Sequence, residues 1–285
     1  MAIEPPPAAV IETAVQAALA EDRAFEDVTT LATVTTSLRG TARFLAKESG
    51  TLAGMPVALA AFRALDATAE LRLLRTDGDA FAQGDVLAEV FCSVRAMLQA
   101  ERVALNFLQR LSGTATLTAA FVREVAGAGA VVLDTRKTTP GLRDLEKYAV
   151  RCGGGTNHRR DLAVMAMIKD NHREALARGE LSLAEGVAAI RARSPRTAVE
   201  VEIDSLDQLE EALAGHPEWI LLDNMGVPDM AEAVRRTHRR AKLEASGGVS
   251  LQTVRAIAET GVDAISVGAL THSAGSIDIS LDLEF

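Results

Sequence analysis

Residues 198–268 read AVEVEIDSLDQLEEALAGHPEWILLDNMGVPDMAEAVRRTHRRAKLEASGGVSLQTVRAIAETGVDAISVG. Four short apolar runs recur in this stretch, at Ala198–Ile203, Ile220–Asp223, Leu243–Ala245 and Ala264–Val267. They are spaced by roughly 22 residues, about one strand plus one helix each. Ser205-Leu206-Asp207-Gln208 has the form of a capping box and predicts that a helix opens directly after Ile203. Two earlier runs, Val131–Thr135 and Met165–Lys169, extend the series to six. Alternating strands and helices predict a parallel sheet, either doubly wound or closed towards a barrel.

The ends of the runs favour the barrel. Each passes into polar or glycine residues: Asp134-Thr135-Arg136-Lys137, Lys169-Asp170, Glu202, Asp223-Asn224, Ser246-Gly247-Gly248 and Gly268. Chemistry gathered at the C-terminal ends of successive parallel strands is the layout of barrel enzymes. Glu200, Glu202 and Asp204 alternate with Val199, Val201 and Ile203, which predicts one acidic face. Such a face needs cationic partners, so we place all three acids in the barrel mouth, opposite lysines and arginines.

Outside this region the pattern changes. The chain before residue 112 mixes elements. Helices are expected at Ile11–Glu21 and from Pro56, strands at Thr41–Lys47, Glu70–Arg75 and Val86–Val94. A long helix over Ala96–Leu111 runs on towards Val125, with Gly113 as a break point. At the other end, Ile277, Ile279, Leu281, Leu283 and Phe285 alternate with Asp278, Ser280, Asp282 and Glu284, a half-buried strand with no helix after it. The expected organisation is an α+β domain over 1–112, an open, TIM-like α/β barrel over 113–272, and a strand within 273–285 that returns to the first domain.

Composition narrows the partners. The chain has 285 residues, 48% hydrophobic and 24% charged, with a net charge of −9, so nucleic acid and anionic membrane are not expected partners. No basic start followed by an apolar run opens the sequence, and no uncharged run reaches the roughly 18 residues of a membrane span. Cys92 and Cys152 have no metal-binding or redox spacing. A cytoplasmic location is the expectation.

Against this acidic background, residues 134–172 (DTRKTTPGLRDLEKYAVRCGGGTNHRRDLAVMAMIKDNH) carry eight Lys/Arg and five Asp/Glu around a triple glycine. A local positive field suits a small polyanion. Arg136 and Lys137 end an apolar strand and Arg159 follows His158 after a glycine turn, so these are read as functional. Arg143 and Lys147, on a helix, are read as solvated charge. Arginine holds a carboxylate bidentately, and several arginines beside a histidine suit a dicarboxylate. Lys169 is read as a charge partner of substrate or Glu202 in preference to a Schiff-base lysine. Glu202 and Asp223 suit Mg²⁺, which takes a few carboxylates plus water and phosphate oxygens. Ser246-Gly247-Gly248 and Gly268, with the dipole of a helix beginning near Ser250, suit a phosphate. His272 is read as a cap of its own turn. Gln99, Arg102, Asn106 and Arg110 form a polar stripe at helical spacing that reads as a solvent face.

Together, DTRKTTPGLRDLEKYAVRCGGGTNHR, IKDNH, VEVEIDSLDQLEEAL, ILLDNM, LEASGGV and VGALTHS, with the earlier EDVTT and AERVALNFLQRLSG, closely resemble the quinolinate phosphoribosyltransferase family. The resemblance runs from about Ala20 to the C-terminus. It implies an N-terminal α+β domain, an open α/β barrel, and a homodimer, or a higher oligomer built from it, with shared active sites. It also implies the reaction of quinolinate with phosphoribosyl pyrophosphate to nicotinate mononucleotide, CO₂ and pyrophosphate, with Mg²⁺. By position, Arg136, His158, Arg159 and Lys169 correspond to quinolinate binders, and Arg102 to a residue that serves the neighbouring subunit. Thr135, Lys137, Ser246, Gly247, Gly248, Gly268 and His272 correspond to phosphoribosyl pyrophosphate contacts, and Glu202 and Asp223 to ribose or metal contacts.

The chain departs from the family pattern at Asp161 and Val164, where glycine and aspartate are usual; Asp161 is expected to pair with Arg159 or Arg160. Two alternatives belong beside the main reading. One is a relative of the same fold acting on another base, as in a molybdenum-associated branch. The other is a non-catalytic carboxylate- or phosphate-binding paralogue, disfavoured by the presence of Lys137, Glu202 and Asp223 together.

Overall fold

A computed structural model describes residues 3–284 as two compact units. The first comprises residues up to 119, 137–154 and those from 269 on. It begins with α1 (Ala8–Glu21), a 3₁₀ turn at Ala24–Glu26, α2 (Val28–Thr33), β1 (Arg39–Ala46), β2 (Gly50–Thr51) and α3 (Met55–Leu65). Then come β3 (Glu70–Leu73), β4 (Ala80–Phe81), β5 (Val86–Ser93) and the long α4 (Val94–Glu124). Capping explains two of the helix starts. Asp27 accepts from the N–H groups of Thr29 and Thr30 to open α2, and Asp77 accepts from those of Gly54 and Met55 to open α3.

Beyond α4 the chain forms β6 (Val131–Leu133), α5 (Arg143–Cys152), β7 (Met165–Ile168), α6 (Asp170–Arg178), α7 (Leu183–Arg193), β8 (Ala198–Ile203), α8 (Leu209–Ala214) and β9 (Trp219–Asp223). It ends with α9 (Val227–Thr237), β10 (Lys242–Ser246), α10 (Val254–Ala258), β11 (Ala264–Ser266), α11 (Ala269–His272) and β12 (Ile279–Glu284).

In the first unit an antiparallel sheet runs β12-β1-β5-β3. The C-terminal strand thus lies against β1, with Phe44 opposite Leu281 and Ala46 opposite Ile279, all four buried. Phe44 meets Phe62 edge to face at a centroid distance of 6.1 Å, a favourable aromatic geometry. The same core encloses Leu145, Tyr148, Ala149 and Cys152 of α5, which explains why seven of that helix's ten residues are buried. The segment 137–154 therefore belongs with the first unit, although the boundaries at 112 and 272 placed it with the second. Lys147, read as solvated, is buried for the same reason.

Helix α4 runs through Gly113 without a break. The glycine is there for close packing: a β-carbon on it would stand 1.8 Å from the carbonyl oxygen of Gly275.

The second unit comprises residues 120–136 and 155–268. Its six strands are all parallel, in the order β6-β11-β10-β9-β8-β7. The outermost strands, β6 and β7, are not paired with each other; Thr156 instead forms a parallel bridge to Leu133 beside β6. This is an open α/β barrel. The capping box after β8 is only half realised. The Ser205 side chain caps nothing, a 3₁₀ turn at Leu206–Gln208 precedes α8, and the Gln208 side chain reaches back to accept from Asp204 N–H. No helix among the described residues is long and apolar enough to cross a membrane.

Candidate active site

The second unit orders its polar strand ends around one structural segment, residues 156–159. Thr156 exchanges backbone hydrogen bonds with β6, its N–H donating to Val132 and its carbonyl accepting from Asp134. The buried Asp134 carboxylate then accepts from Asn157 Nδ2 at 2.6 Å and from His158 N–H at 2.9 Å. This fixes the His158 backbone beside β6 and sends its ring into the barrel. There, Nε2 lies 3.0 Å from Glu244 Oε2 on β10 and 3.3 Å from Glu200 Oε2 on β8. A side chain held at one edge strand can reach strands two and four places away only because the sheet curls.

Both glutamates are buried. Burial pushes the Glu200 carboxyl up, and Glu244 beside it adds to the rise, while His158 opposes it. Burial alone would lower the His158 pKa, but the two carboxylates raise it to about 9. Nδ1 meets the opposite influence, since it accepts from Arg159 N–H at 2.7 Å and needs its lone pair to do so. The contacts shown are those of the neutral ring with its proton on Nε2, facing the carboxylates.

Arg159 extends from this turn. Its Nη1 donates to the Met165 carbonyl at 3.1 Å, and Nη2 meets Met167 Sδ at 3.4 Å, both on β7. Burial and the neighbouring Arg136 guanidinium pull its pKa below the ordinary value, while Glu200, Glu244 and Glu202 oppose them. A guanidinium is a planar fork of donors suited to anionic oxygens. Asp161 pairs with Arg160 at 3.2 Å and accepts from Ala163 N–H, leaving Arg159 to its own contacts.

Along the remaining strand ends, Lys169 Nζ lies 2.6 Å from Glu202 Oε2. On β9 the half-buried Asp223 accepts from Asn224 Nδ2 at 2.8 Å and pairs in register with Ser246 on β10. Gly247 and Gly248 have φ of +93° and +59°, and a β-carbon on Gly247 would stand 2.1 Å from Asn224 Oδ1. Thr135 and Arg136 follow β6, and Gly268 follows β11, the strand between β6 and β10. Thr135, Arg136, Lys169, Glu202, Asp223, Ser246, Gly247, Gly248 and Gly268 thus lie at the C-terminal ends of one parallel sheet, and His158 and Arg159 on the turn beside β6. Two expectations fail here. Asp204 is exposed beyond β8 and bonds Gln208, so it is not part of the acidic cluster. The Gly247-Gly248 turn, expected to hold a phosphate, has no substantial helix behind it, since α10 begins at Val254 and has five residues.

Arg102, Lys137 and His272 lie in the first unit. Arg102 is exposed on α4, 3.5 Å from Glu101, and borders a cavity of about 280 Å³ with Asn106, Arg110 and Leu142. The rest of its stripe is not a simple solvent face. Gln99 donates to the Ala24 carbonyl, and Arg110 donates to the carbonyls of Ala274 and Thr271 and to Glu146. Buried Glu146 also accepts from the N–H and hydroxyl of Thr139, and Thr271 Oγ1 donates to the Lys137 carbonyl. The loop bearing Lys137 and the turn bearing His272 are thereby tied together. Exposed His272 places Nδ1 2.6 Å from Ser273 Oγ.

Asp134 is expected from the sequence only as part of a polar strand end, and neither Asn157 nor Glu244 stands out there. A carboxylate inside an otherwise apolar run, as in Leu243-Glu244-Ala245, was the available signal.

Comparison with known proteins gives this geometry a lineage. The family models described as quinolinate phosphoribosyl transferase, N-terminal domain and C-terminal domain, match residues 27–112 and 114–282. The chain belongs to the quinolinate phosphoribosyl transferase family. Among its relatives, the carboxylating nicotinate-nucleotide pyrophosphorylase of Mycobacterium leprae is 45% identical over 94% of this chain and 95% of its own length. A Synechocystis protein named probable carboxylating nicotinate-nucleotide pyrophosphorylase is 41% identical over 98% of this chain and 94% of its own. The solved nicotinate-nucleotide pyrophosphorylase of Francisella tularensis superposes with a TM-score of 0.91 at 36% identity, covering 100% of this chain and 99% of the other. Two-domain quinolinate phosphoribosyl transferases thus match this chain in both order and extent.

Proposed function

We propose that the protein is a carboxylating nicotinate-nucleotide pyrophosphorylase, converting quinolinate and phosphoribosyl pyrophosphate to nicotinate mononucleotide, CO₂ and pyrophosphate on the way to NAD. The observation that carries the reading is that Arg159, fixed through the His158 turn and β7, and the Lys169–Glu202 pair belong to the same parallel sheet whose β10 ends in the left-handed Gly247-Gly248 turn. Arg136, Arg159 and Lys169 offer charge to the two ring carboxylates. The left-handed backbone at Gly247 and Gly248 turns N–H groups towards a phosphate. Glu202 and Asp223, at the ends of adjacent strands, face the ribose.

The chemistry needs no nucleophilic side chain. The pyridine nitrogen lone pair forms a bond to the anomeric carbon as the bond to pyrophosphate breaks, and pyrophosphate leaves with the electron pair. Carboxylates near the ribose stabilise the cationic sugar formed on the way. The nitrogen is now positive, so the bond from the ring to the adjacent carboxylate can break. CO₂ departs, its bonding electrons stay on the ring carbon beside the cation, and a proton from solvent completes the product.

Glu202 and Asp223 are hard oxygen donors, and their placement fits Mg²⁺ that draws its remaining ligands from water and phosphate oxygens. When bound, the ion supplies charge to offset that of the leaving pyrophosphate. Lys137 and His272 are assigned to phosphoribosyl pyrophosphate, and Arg102 to the site of a partner subunit in a homodimer. We place the protein in the cytoplasm, where the free thiols of Cys92 and Cys152 are kept reduced.

Purified protein should release CO₂ from carboxyl-labelled quinolinate only with phosphoribosyl pyrophosphate and Mg²⁺ present. Turnover of nicotinate in place of quinolinate would assign it to another base. Saturable binding without product would make it a binding paralogue.

A further inference from the structure

Beneath the cationic strand ends lies an inner layer of acids. Asp134, Glu200 and Glu244 come from the end of β6, β8 and β10 respectively, and all three side chains are buried. Barrel interiors are ordinarily filled by branched apolar residues. Buried carboxylates beside a cation add little to stability, and replacing such a cluster with apolar residues is often neutral or stabilising. Neither Glu200 oxygen forms an aligned hydrogen bond among the described residues, and the nearest group that offsets its burial is His158 Nε2 at 3.3 Å. The cluster's effect therefore falls on the ring it grips.

That ring is fixed at both nitrogens. Nε2 faces Glu244 at 3.0 Å and Glu200 at 3.3 Å, and Nδ1 accepts from the Arg159 amide at 2.7 Å. The Arg159 amide is thus held from within the barrel, while its guanidinium is held by Met165 and Met167 on β7. The two glutamates also favour the charged Arg159 guanidinium, opposing the effect of Arg136 on it.

We infer that Glu200 and Glu244 are positioning residues that act through His158 to set the Arg159 guanidinium for a carboxylate of quinolinate. The inference rests on the proposed dicarboxylate site. It assigns to His158 the task of transmitting the position of the inner acids to the outer arginine. The same three side chains could instead gather a divalent ion, because one ligand atom from each lies within 4.8 Å of the others. The ring's engagement with the Arg159 amide and both acids favours the positioning role.

Glu200→Gln and Glu244→Gln keep shape and remove charge. Each is compared with wild type for thermal unfolding, quinolinate affinity and KM, and KM for phosphoribosyl pyrophosphate. The expected result is a tenfold or greater weakening for quinolinate, a change within twofold for phosphoribosyl pyrophosphate, and an unfolding temperature that is not lowered. In a His158→Ala background, adding either substitution should change quinolinate affinity less than twofold, because the path to Arg159 is already cut. Glu200→Asp, which keeps the charge, should recover part of the lost affinity.

Quinolinate affinity unchanged in both glutamine variants would overturn the inference, as would equal losses for the two substrates or full additivity with His158→Ala. Failure of both glutamine variants to fold would make the acids structural, and a stoichiometric metal ion lost on Glu200→Gln would make them ligands; either result also overturns it. If wild type itself does not bind quinolinate, it is the proposed substrate that fails.

Discussion

Lys169 and Glu202 meet at 2.6 Å across the ends of the neighbouring strands β7 and β8. Lys169 directly follows the apolar β7 and Glu202 is the second acid of β8, one residue before its end, so parallel pairing brings an amine and a carboxylate together with no loop to position them. The pair sits at the half-exposed rim of the barrel, where an ion pair adds little to stability. Its consequence is chemical: the amine is engaged by a carboxylate, which supports the charge-partner role over a covalent one. Borohydride added during turnover should therefore leave the mass of the chain unchanged, and a stable adduct at Lys169 would restore the Schiff-base reading.

Arg136→Lys keeps the charge and loses the planar fork. Quinolinate binding should weaken by about 1.5–3 kcal/mol, the scale of a charged hydrogen bond, with a much smaller effect on phosphoribosyl pyrophosphate. Titration calorimetry with each ligand checks this, and equal losses would show that Arg136 does not discriminate between them.

Arg102 is exposed on its own subunit, as a residue that serves a neighbour would be. If the homodimer shares its sites, inactive Arg102→Ala and inactive Lys137→Ala subunits should complement each other on mixing. Each mixed dimer then holds one complete site, so activity should rise to about a quarter of wild type at random equal exchange. With exchange verified by tagged subunits, no recovery would remove Arg102 from the partner's site.

Gly113→Ala should destabilise strongly, because the new methyl would meet the Gly275 carbonyl at 1.8 Å. A loss on the order of 3 kcal/mol or more is expected, at the upper end of overpacking costs. Gly275→Ala is the control, since a β-carbon there meets nothing within 4 Å. Denaturant unfolding of the two variants should separate them, and similar stabilities would refute the close-packing account.

Asp66 gives the first unit an acid-sensitive contact. Burial alone would raise its pKa, but hydrogen bonds from Thr68 and the Ser93 amide, with Arg39 nearby, lower it to about 2. The folded pKa lies below the ordinary 3.8, so the contribution is complete above that value and disappears as pH falls through about 2. Asp66→Asn should thus cost stability at pH 7, on the order of 1–3 kcal/mol for a part-buried charged acceptor. The difference from wild type should vanish near pH 2. A constant difference across that range would show that Asp66 acts through its shape alone.

By itself, the sequence determined the strand–helix alternation from Val131 to Ser266, the return of the C-terminal strand and the residues at each strand end. These are local signals. Apolar runs have a period, turns need particular residues, and parallel strands deliver whatever follows them to one face. Tertiary structure alone decided what lies beneath that face. Glu244 looks like any acid within a short strand until the sheet curls and brings it to His158. Gly113 looks like a helix breaker until Gly275 packs on it, and Lys147 looks like surface charge until α5 is enclosed by the first unit. Gln99 and Arg110 keep helical spacing with Arg102, yet their partners at Ala24, Thr271 and Ala274 are distant in sequence. In each case the deciding contact joins distant parts of the chain, and no local periodicity encodes it.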